Sequence, residues 1–427
     1  MKFNLASNKS SLLVKFLHIG DVLTNMNNAV KYENIIFKRA NEWLKYIDNL
    51  PKPQNDIDRV HNQYKAMQFI TKLTVKYENL YYDLFSILCF PFSILSSALS
   101  TAFSKFFRSS IKCDCVRIFD INENFNLHKK IELPKEIEIE FKKTENYYVH
   151  KRVLIFTGIL TIYSLKLWLK ALIRHPFSFY ENFSIFIHLN FINKIFLRYN
   201  TKAIITLESE NDFTTSLLSN LCEHYNAEYI GIMHGENFVN PLHTNVRFSR
   251  FYVWDKHYIK QYIRTGSPED MFFTYTPKRY KMNLKYENLK NSTYLTYYLQ
   301  GQDETILKNI RNVLVSISRY GKKCKIRVHP RATDIKLVKK IFMNTDIEIE
   351  DYNSISIEKS YSSTKYIVST FSTVLSEAFE NGLYAVLDDI TDKNTYNVLK
   401  QLMYINIERV PLRLSEILEK SDKANNE

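Results

Sequence analysis

Two short stretches of the sequence carry side chains suited to phosphate chemistry. Residues 325–331 read "KIRVHPR", a basic strand pattern that ends in His-Pro. Residues 369–378 read "STFSTVLSEA", a cluster of hydroxyls at the start of a helical pattern. A helix N-terminus attracts anions through its unpaired N–H groups and its positive dipole end. We therefore predict one phosphate site built from both stretches, at two neighbouring strand ends.

The hydroxyl cluster is larger than a helix cap requires. Capping needs one hydroxyl, whereas Ser369, Thr370, Ser372 and Thr373 supply four. Ser372 and Thr373, nearest the helix, would complete the cradle for a phosphate. Glu377 lies one turn beyond Thr373 and would accept hydrogen bonds from a ribose, or would be an ordinary exposed carboxylate.

His329 is the imidazole at the end of the basic strand. Two cations of "KIR" precede it and Arg331 follows, so the surroundings favour a bound anion, which would make His329 a donor to a leaving phosphate. Pro330 fixes the direction of the turn. His175, in the other His-Pro pair, follows a helical pattern, and we assign it to structure.

Two further sets of loops complete the predicted site. After the strand "TYLTYYL" come Gln300, Gly301 and Gln302, where the glycine would let the backbone approach a bound group. The second set, in the N-terminal half, is "LESEND" and "MHGEN", and a transfer reaction needs a base there with a pKa near the working pH. The predicted bases are His234, Glu236 and Glu210. Among the other acids of "LESEND", Asp212 also suits a helix cap and Glu208 a solvated position.

The elements that position these loops alternate between strand and helix. From residue 293 onward, β-branched strands are followed by helices at about 304–319 and 334–343, which predicts a parallel sheet covered on both faces. Residues 202–266 alternate in the same way. The run at 147–173 suits either a strand leading into a helix or one long helix. Ligands bind such sheets at the carboxyl ends of the strands, where the polar loops lie.

The chain of 427 residues is too long for one hydrophobic core. We predict an α/β protein with two Rossmann-like domains facing a cleft. The N-terminal, acceptor-side domain covers 1–276, helical over 1–110 and α/β from about 115. Residues 277–292 are the linker, and 293–427 form the nucleotide-binding domain.

The composition of the chain indicates which classes of partner it could bind and in what setting. The net charge of +13 favours polyanions but leaves nucleic acid, anionic membrane and nucleotide phosphate open. Five cysteines without paired spacing suggest neither a disulfide framework nor a zinc site, which indicates a reducing setting. The uncharged run at 84–104 would be a buried helix, an interfacial segment or a membrane span.

In the order of its motifs, the region of residues 200–395 resembles bacterial GT-B glycosyltransferases that use CMP-activated sugars, the sialyltransferases and polysialyltransferases. "KIRVHP" resembles their His-Pro strand, and "STFST" resembles their Ser/Thr cluster. The resemblance implies that His329 contacts the CMP phosphate while Ser372 and Thr373 hold it. It also implies inversion at the anomeric carbon without a metal or other cofactor.

The third motif departs from that family, which has two acidic residues before a glycine. Here "MHGEN" places His234 before the glycine, as in the similar CDP-glycerol phosphotransferases of teichoic acid synthesis, where the histidine is the proposed base. The base and the donor therefore stay open between the two families.

These patterns predict a cytoplasmic enzyme, peripheral to the inner membrane, that transfers sialic acid or a related acidic sugar from its CMP conjugate. The acceptor would be a bacterial surface glycan or its lipid-linked precursor: lipopolysaccharide O-antigen, lipooligosaccharide or capsule. The alternatives are a Kdo transferase or a CDP-glycerol glycerophosphotransferase. A nucleic-acid-binding or membrane-scaffold protein is a third reading, but no nucleic-acid recognition motif is present, and we expect no nucleic-acid partner.

Overall fold

The protein contains two parallel β-sheets of six strands each, seen in a computed structural model. The model describes residues 37–71, 78–103, 111–120, 133–149, 158–176, 178–207, 213–233, 235–277, 282, 293–329 and 333–423. Within the predicted linker, only Pro277 and Met282 are described.

The N-terminal domain is built around the first sheet. Its strands, with a separate short pair, are β1 Ile111–Lys112, β2 Cys115–Asp120, β3 Thr144–Val149, β4 Tyr199–Asn200, β5 Ala203–Leu207, β6 Glu228–Ile232, β7 Arg250–Val253 and β8 Phe272–Thr274. The sheet order is β3-β2-β5-β6-β7-β8, and every neighbouring pair is parallel. Strands β1 and β4 pair with each other outside this sheet.

The C-terminal domain is built around the second sheet. Its strands are β9 Thr293–Tyr298, β10 Cys324–Arg327, β11 Glu348–Glu350, β12 Thr364–Ser369, β13 Tyr384–Leu387 and β14 Leu412–Arg413. They are parallel in the order β11-β10-β9-β12-β13-β14, which is the doubly wound Rossmann order 3-2-1-4-5-6. The order reverses between β9 and β12, and that crevice is where such sheets bind ligands.

This order corrects one expectation. The strands that precede His329 and Ser372 were predicted to be neighbours, but β9 lies between β10 and β12. Strands are spaced about 4.8 Å apart, so the two ends are separated by roughly 10 Å. The loop after β9 therefore lies between the His-Pro loop and the hydroxyl loop.

Helices connect the strands in both domains. They are α1 Ala40–Asp48, α2 Asp56–Thr71, α3 Glu78–Phe103, α4 Lys135–Glu140, α5 Ile162–Arg174, α6 Phe179–Arg198, α7 Thr215–His224, α8 Lys256–Arg264, α9 Glu304–Arg319, α10 Ile335–Ile341, α11 Ile357–Ser362, α12 Thr373–Glu380, α13 Lys393–Gln401, α14 Asn406–Arg409 and α15 Leu414–Lys423. The ambiguous run at 147–173 contains the end of β3 and most of α5, so it is a strand followed by a helix and not one long helix.

Helix α9 shows why the C-terminal elements were readable in sequence. The Asp303 side chain accepts a hydrogen bond from the Ile306 N–H at 2.9 Å and caps the helix. Its buried residues recur at three- and four-residue spacing: Leu307, Ile310, Leu314 and Ile317. The helix covers residues 304–319, as predicted.

Residues 402–409, which we call the C-terminal segment, belong to the C-terminal domain and make non-covalent contacts with the N-terminal domain. The main-chain oxygen of Met403 lies 2.7 Å from both His257 Nε2 and Gln261 Nε2 of α8 in the N-terminal domain. Arg409 forms an ion pair with Asp255 at 2.9 Å. The predicted GT-B arrangement, two Rossmann-like domains facing a cleft with added N-terminal helices, is confirmed.

The added helices pack on the N-terminal domain near the cleft. Trp43 of α1 donates to the Val239 carbonyl at 3.1 Å, in the loop that follows β6. Asp56 of α2 pairs with Arg247 at 2.9 Å. These contacts support the loop that carries one of the predicted bases.

Candidate active site

Glu236 reaches across the cleft from the N-terminal domain. It follows β6, and its Oε2 accepts hydrogen bonds from the Tyr404 hydroxyl at 2.7 Å and from Asn406 Nδ2 at 3.0 Å. Both donors belong to the C-terminal segment. Among the predicted bases, Glu236 is therefore placed directly against the other domain.

The surroundings of Glu236 change its acidity. Burial raises the pKa of Glu236 to about 7, against the opposing effects of hydrogen bonds from Ser376, Tyr404 and Asn406 and of the Arg409 charge. The other carboxylate oxygen, Oε1, is buried and has no hydrogen-bond partner among the described residues. A carboxylate that titrates near neutral pH and keeps one oxygen unpaired is suited to take a proton.

Tyr404 connects Glu236 to the helix that follows β12. Its hydroxyl accepts a hydrogen bond from the Ser372 backbone N–H at 3.1 Å and one from Asn406 Nδ2 at 2.8 Å. The Tyr404 ring packs against Phe371 with centroids 4.9 Å apart. One hydroxyl group thus separates the Glu236 carboxylate from the N-terminus of α12.

Ser372 and Gln300 bridge the crevice of the second sheet. Gln300 follows β9, and its Nε2 donates to Ser372 Oγ at 2.7 Å, beyond the end of β12. Gly301 has φ +82°, a conformation that favours glycine. Gln302 Oε1 accepts from the Gln300 N–H at 2.8 Å and holds the loop. The three residues predicted after β9 therefore lie at the point where the strand order reverses.

Three of the four hydroxyl residues, Ser369, Thr370 and Ser372, are buried and have structural hydrogen bonds. Ser369 Oγ donates to the Tyr298 carbonyl at 2.9 Å, and Thr370 shares a hydrogen bond of 2.9 Å with the Tyr297 hydroxyl. Both residues are buried. Ser372 caps α12 through the Val374 N–H at 3.3 Å. The number of hydroxyls therefore does not itself argue for a phosphate; the location at the switch point does.

Two predicted ligand contacts lie on α12 itself. Thr373 begins the helix and is partly exposed at its N-terminus. Glu377 accepts a hydrogen bond from the Tyr361 hydroxyl of α11 at 2.8 Å. Glu377 is thus held by a neighbouring helix, and its contact with a ribose stays a prediction.

His329 follows β10 and is partly buried, with its backbone N–H donating to Thr333 Oγ1 at 3.1 Å. The two cations of its strand are each paired with an acid. Arg327 pairs with Glu350, and Lys325 Nζ lies 3.1 Å from a Glu348 carboxylate oxygen. Both acids belong to the adjacent strand β11, so the two strand cations already have anionic partners within the sheet.

Several predicted residues lie outside the described part of the chain. They are His234, Glu210, Glu208, Asp212, Pro330 and Arg331. Their roles stay predictions. His175, assigned to structure, stacks on His61 with ring centroids 3.5 Å apart.

Sequence reasoning missed Tyr404 and Asn406, which hold Glu236. They occur in "LMYINIERV", a segment with no clear period. A buried carboxylate needs hydrogen-bond donors, so polar side chains within an apolar stretch of this segment could have indicated that it holds one. They lie 168 and 170 positions from Glu236 in the chain, too far for any local pattern to pair them.

No protein-family model and no curated protein matches the chain in sequence. Solved structures with a similar arrangement include UDP-GlcNAc 2-epimerase from Methanocaldococcus jannaschii, 14% identical, with a TM-score of 0.42 over 73% of this chain and 92% of that one. The UDP-GlcNAc 2-epimerase from Neisseria meningitidis, bound to UDP-GlcNAc, is 10% identical with a TM-score of 0.40 over 74% and 99%. MurG from Acinetobacter baumannii is 10% identical with a TM-score of 0.41 over 73% and 90%. Similarity at this level carries no argument about substrate or mechanism, and the fold stands on the sheet topology described above.

Proposed function

We propose that the protein is a glycosyltransferase that uses a nucleotide-activated sugar. One observation carries this proposal: Glu236 of the N-terminal domain is held beside the N-terminus of α12, at the switch point of the C-terminal sheet. Two features support the proposal: the pKa of Glu236 is raised to about 7, which suits a base, and a helix N-terminus at a switch point is where a donor phosphate is expected.

In the proposed reaction, Glu236 Oε1 takes the proton of the acceptor hydroxyl. The acceptor oxygen forms a bond to the anomeric carbon while the bond from that carbon to the nucleotide phosphate breaks, and its electron pair stays on the phosphate. The α12 dipole, Thr373 and His329 stabilise the departing charge, and Ser372 fixes the helix end. Attack from the side opposite the phosphate inverts the anomeric centre, and these groups do the work of a metal ion.

For the donor we propose CMP-activated sialic acid or a related acidic sugar, because His329 and Ser372 match the motif order of the enzymes that use it. The proposed acceptor is a bacterial surface glycan, as in lipopolysaccharide O-antigen, lipooligosaccharide or capsule. The net charge of +13 suits an anionic donor and a cytoplasmic enzyme at the inner membrane. Cytidine-activated Kdo is one alternative donor, and CDP-glycerol is another because His234 resembles the proposed base of the CDP-glycerol phosphotransferases.

The test is a panel of CMP-, CDP- and UDP-conjugates, scored by protection against thermal unfolding and by release of nucleotide. We expect a CMP-sugar to give the largest response. Protection by CDP-glycerol alone would replace CMP-sialic acid with CDP-glycerol as the proposed donor. The UDP-sugars are included because UDP-GlcNAc is named for two of the similar structures. A response to none of them would overturn the proposed function.

A matched pair of histidine variants tests the location of the phosphate site. We expect His329→Ala to lose nucleotide release and His175→Ala to retain it, with melting temperatures recorded for both. Equal loss in two folded variants would place the phosphate away from the end of β10.

A further inference from the structure

Helix α3 exposes its apolar side and buries its polar side. The large apolar residues on its outer side are between 37% and 66% exposed: Leu84, Ile87, Leu88, Phe92, Ile94, Leu95, Leu99 and Phe103. Ser86, Ser93 and Ser97, in contrast, are 1–3% exposed. A helix on a water-facing surface shows the opposite arrangement.

Specific contacts of the polar side fix this orientation. Thr101 Oγ1 accepts a hydrogen bond from the Leu160 N–H at 3.0 Å. Phe90, one of the few apolar residues turned inward, packs against Trp168 of α5 and Phe186 of α6 with centroids 5.3 and 5.5 Å apart. The helix is therefore attached to the domain through its inner side, and its apolar side faces outward.

The neighbouring helix α5 extends this surface. Ile162 and Ile173 are 77% and 80% exposed, and Leu169 is 40% exposed. Lys166 and Lys170 are exposed between them. We call the outer sides of α3 and α5 together the outer helical face. The two helices touch through Phe90 and Trp168, and exposed apolar side chains on both of them mark an interaction site.

The charges of the outer helical face indicate which partner covers it. In a symmetric dimer, the same face of two copies would meet, and Lys166 and Lys170 would approach their own counterparts. An anionic bilayer surface attracts these lysines while its acyl region accepts the apolar side chains. The net charge of +13 acts in the same direction.

The packing of α3 also decides how it meets a bilayer. The stretch Ser86–Phe103 is long and apolar enough to cross a membrane, and only 17% of it is buried. Its inner side, however, packs on α6, most of which belongs to the core of the domain. Crossing the bilayer would carry that core into the hydrocarbon, so α3 fits a position parallel to the surface.

We propose that the outer helical face inserts into the interfacial region of an anionic bilayer, with α3 lying in the membrane plane. The apolar side chains of α3 enter the acyl boundary, and Lys166 and Lys170 lie at the lipid phosphates. This docking does not depend on the transfer reaction, and it would hold the cleft close to a lipid-linked acceptor.

Co-sedimentation with vesicles tests the proposal. The full chain is mixed with vesicles of phosphatidylcholine containing phosphatidylglycerol, and with vesicles of phosphatidylcholine alone. We expect binding to the anionic vesicles, weakened by salt and released by alkaline carbonate. Absence of binding would overturn the proposal, and retention after carbonate would show a spanning helix instead.

Two variants and a matched control locate the contact. Phe92→Glu combined with Leu95→Glu is expected to weaken vesicle binding by at least about 10-fold, since two side chains that would enter the acyl boundary become charged. The control is Ile139→Glu on α4, where a residue that is 72% exposed receives the same change. Unchanged vesicle binding in the double variant would overturn the proposal. A wild-type dimer that the double variant dissociates, without vesicle binding, would assign the face to a second copy.

Discussion

Glu236 and Glu350 differ in the groups that surround them, and this difference distinguishes a candidate reactive carboxylate from a structural one. Each has one buried oxygen without a hydrogen-bond partner among the described residues. Glu350 is 1% exposed and pairs with Arg327, which also donates to the Ile355 carbonyl at 2.8 Å. The hydrogen-bond donors of Glu236, in contrast, are the neutral groups of Tyr404, Asn406 and Ser376, and Arg409 acts on it as a nearby charge. Glu350 is thus held in an ion pair, whereas burial raises the pKa of Glu236 to about 7 and leaves it able to exchange a proton near neutral pH.

Glu236→Gln should give the largest change in activity. The amide keeps an oxygen for Tyr404 and Asn406 but cannot take a proton, so we expect turnover to fall by about 10²- to 10⁴-fold. Steady-state nucleotide release with the donor found above measures it. The control is Glu408→Gln, in the same C-terminal segment, where the side chain is 81% exposed. Turnover in Glu236→Gln equal to that of the control would remove Glu236 from the mechanism.

Glu350→Gln should give the largest loss of stability. The change leaves the Arg327 charge buried without an anion, which costs about 3–5 kcal/mol in the free energy of unfolding. Urea denaturation measures that free energy. Glu348→Gln on the same strand is the control, because its carboxylate is 44% exposed and its loss should cost less than about 1 kcal/mol. Similar costs for the two variants would contradict the structural role of Glu350.

The raised pKa of Glu236 predicts how stability depends on pH. The folded protein binds this proton more tightly than the unfolded chain, so stability falls as pH rises from the ordinary value of 4.5 to about 7 and levels off above it. Glu236→Gln lacks this loss. We expect its melting temperature, relative to wild type, to be higher at about pH 8 than at about pH 5. Parallel pH curves for the two proteins would contradict the raised pKa.

Ser372→Ala should have the smallest effect and separates capping from binding. Ser356 caps α11 by accepting from the Lys359 N–H at 3.2 Å, as Ser372 caps α12. Replacing either serine with alanine should cost about 1 kcal/mol in stability. We expect only Ser372→Ala to raise the KM for the donor, since it also breaks the bond to Gln300 at the switch point. The same KM in both variants would leave Ser372 as a cap alone.

The sequence predicts local elements better than it predicts the pairing of distant groups. Helix α9 and the strand alternation were readable because caps and apolar spacing are local. The same approach credited Ser369 and Thr370 to a ligand, because no local pattern reveals that Tyr297 and Tyr298 of β9 use them. Likewise, the charge of Arg327 is read correctly only when β11 is known to lie beside β10.

Helix α3 shows a second limit of prediction from sequence. Its serines recur on one side and its leucines on the other, so two-sidedness is visible in the sequence. Which side turns inward is decided by the partners it finds, including Trp168 and Phe186. The same letters are compatible with a core helix, a span or an interfacial helix, and only the packing selects among them.

The C-terminal segment has a consequence for engineering this protein. A chimera that exchanges the C-terminal domain would take Tyr404 and Asn406 away with it and leave Glu236 behind. The incoming domain would then have to supply equivalent donors at the cleft, and a main-chain acceptor for His257 and Gln261 of α8. The C-terminal domain is therefore not a module that can be transplanted by itself, because residues 402–409 must be matched to the recipient as well.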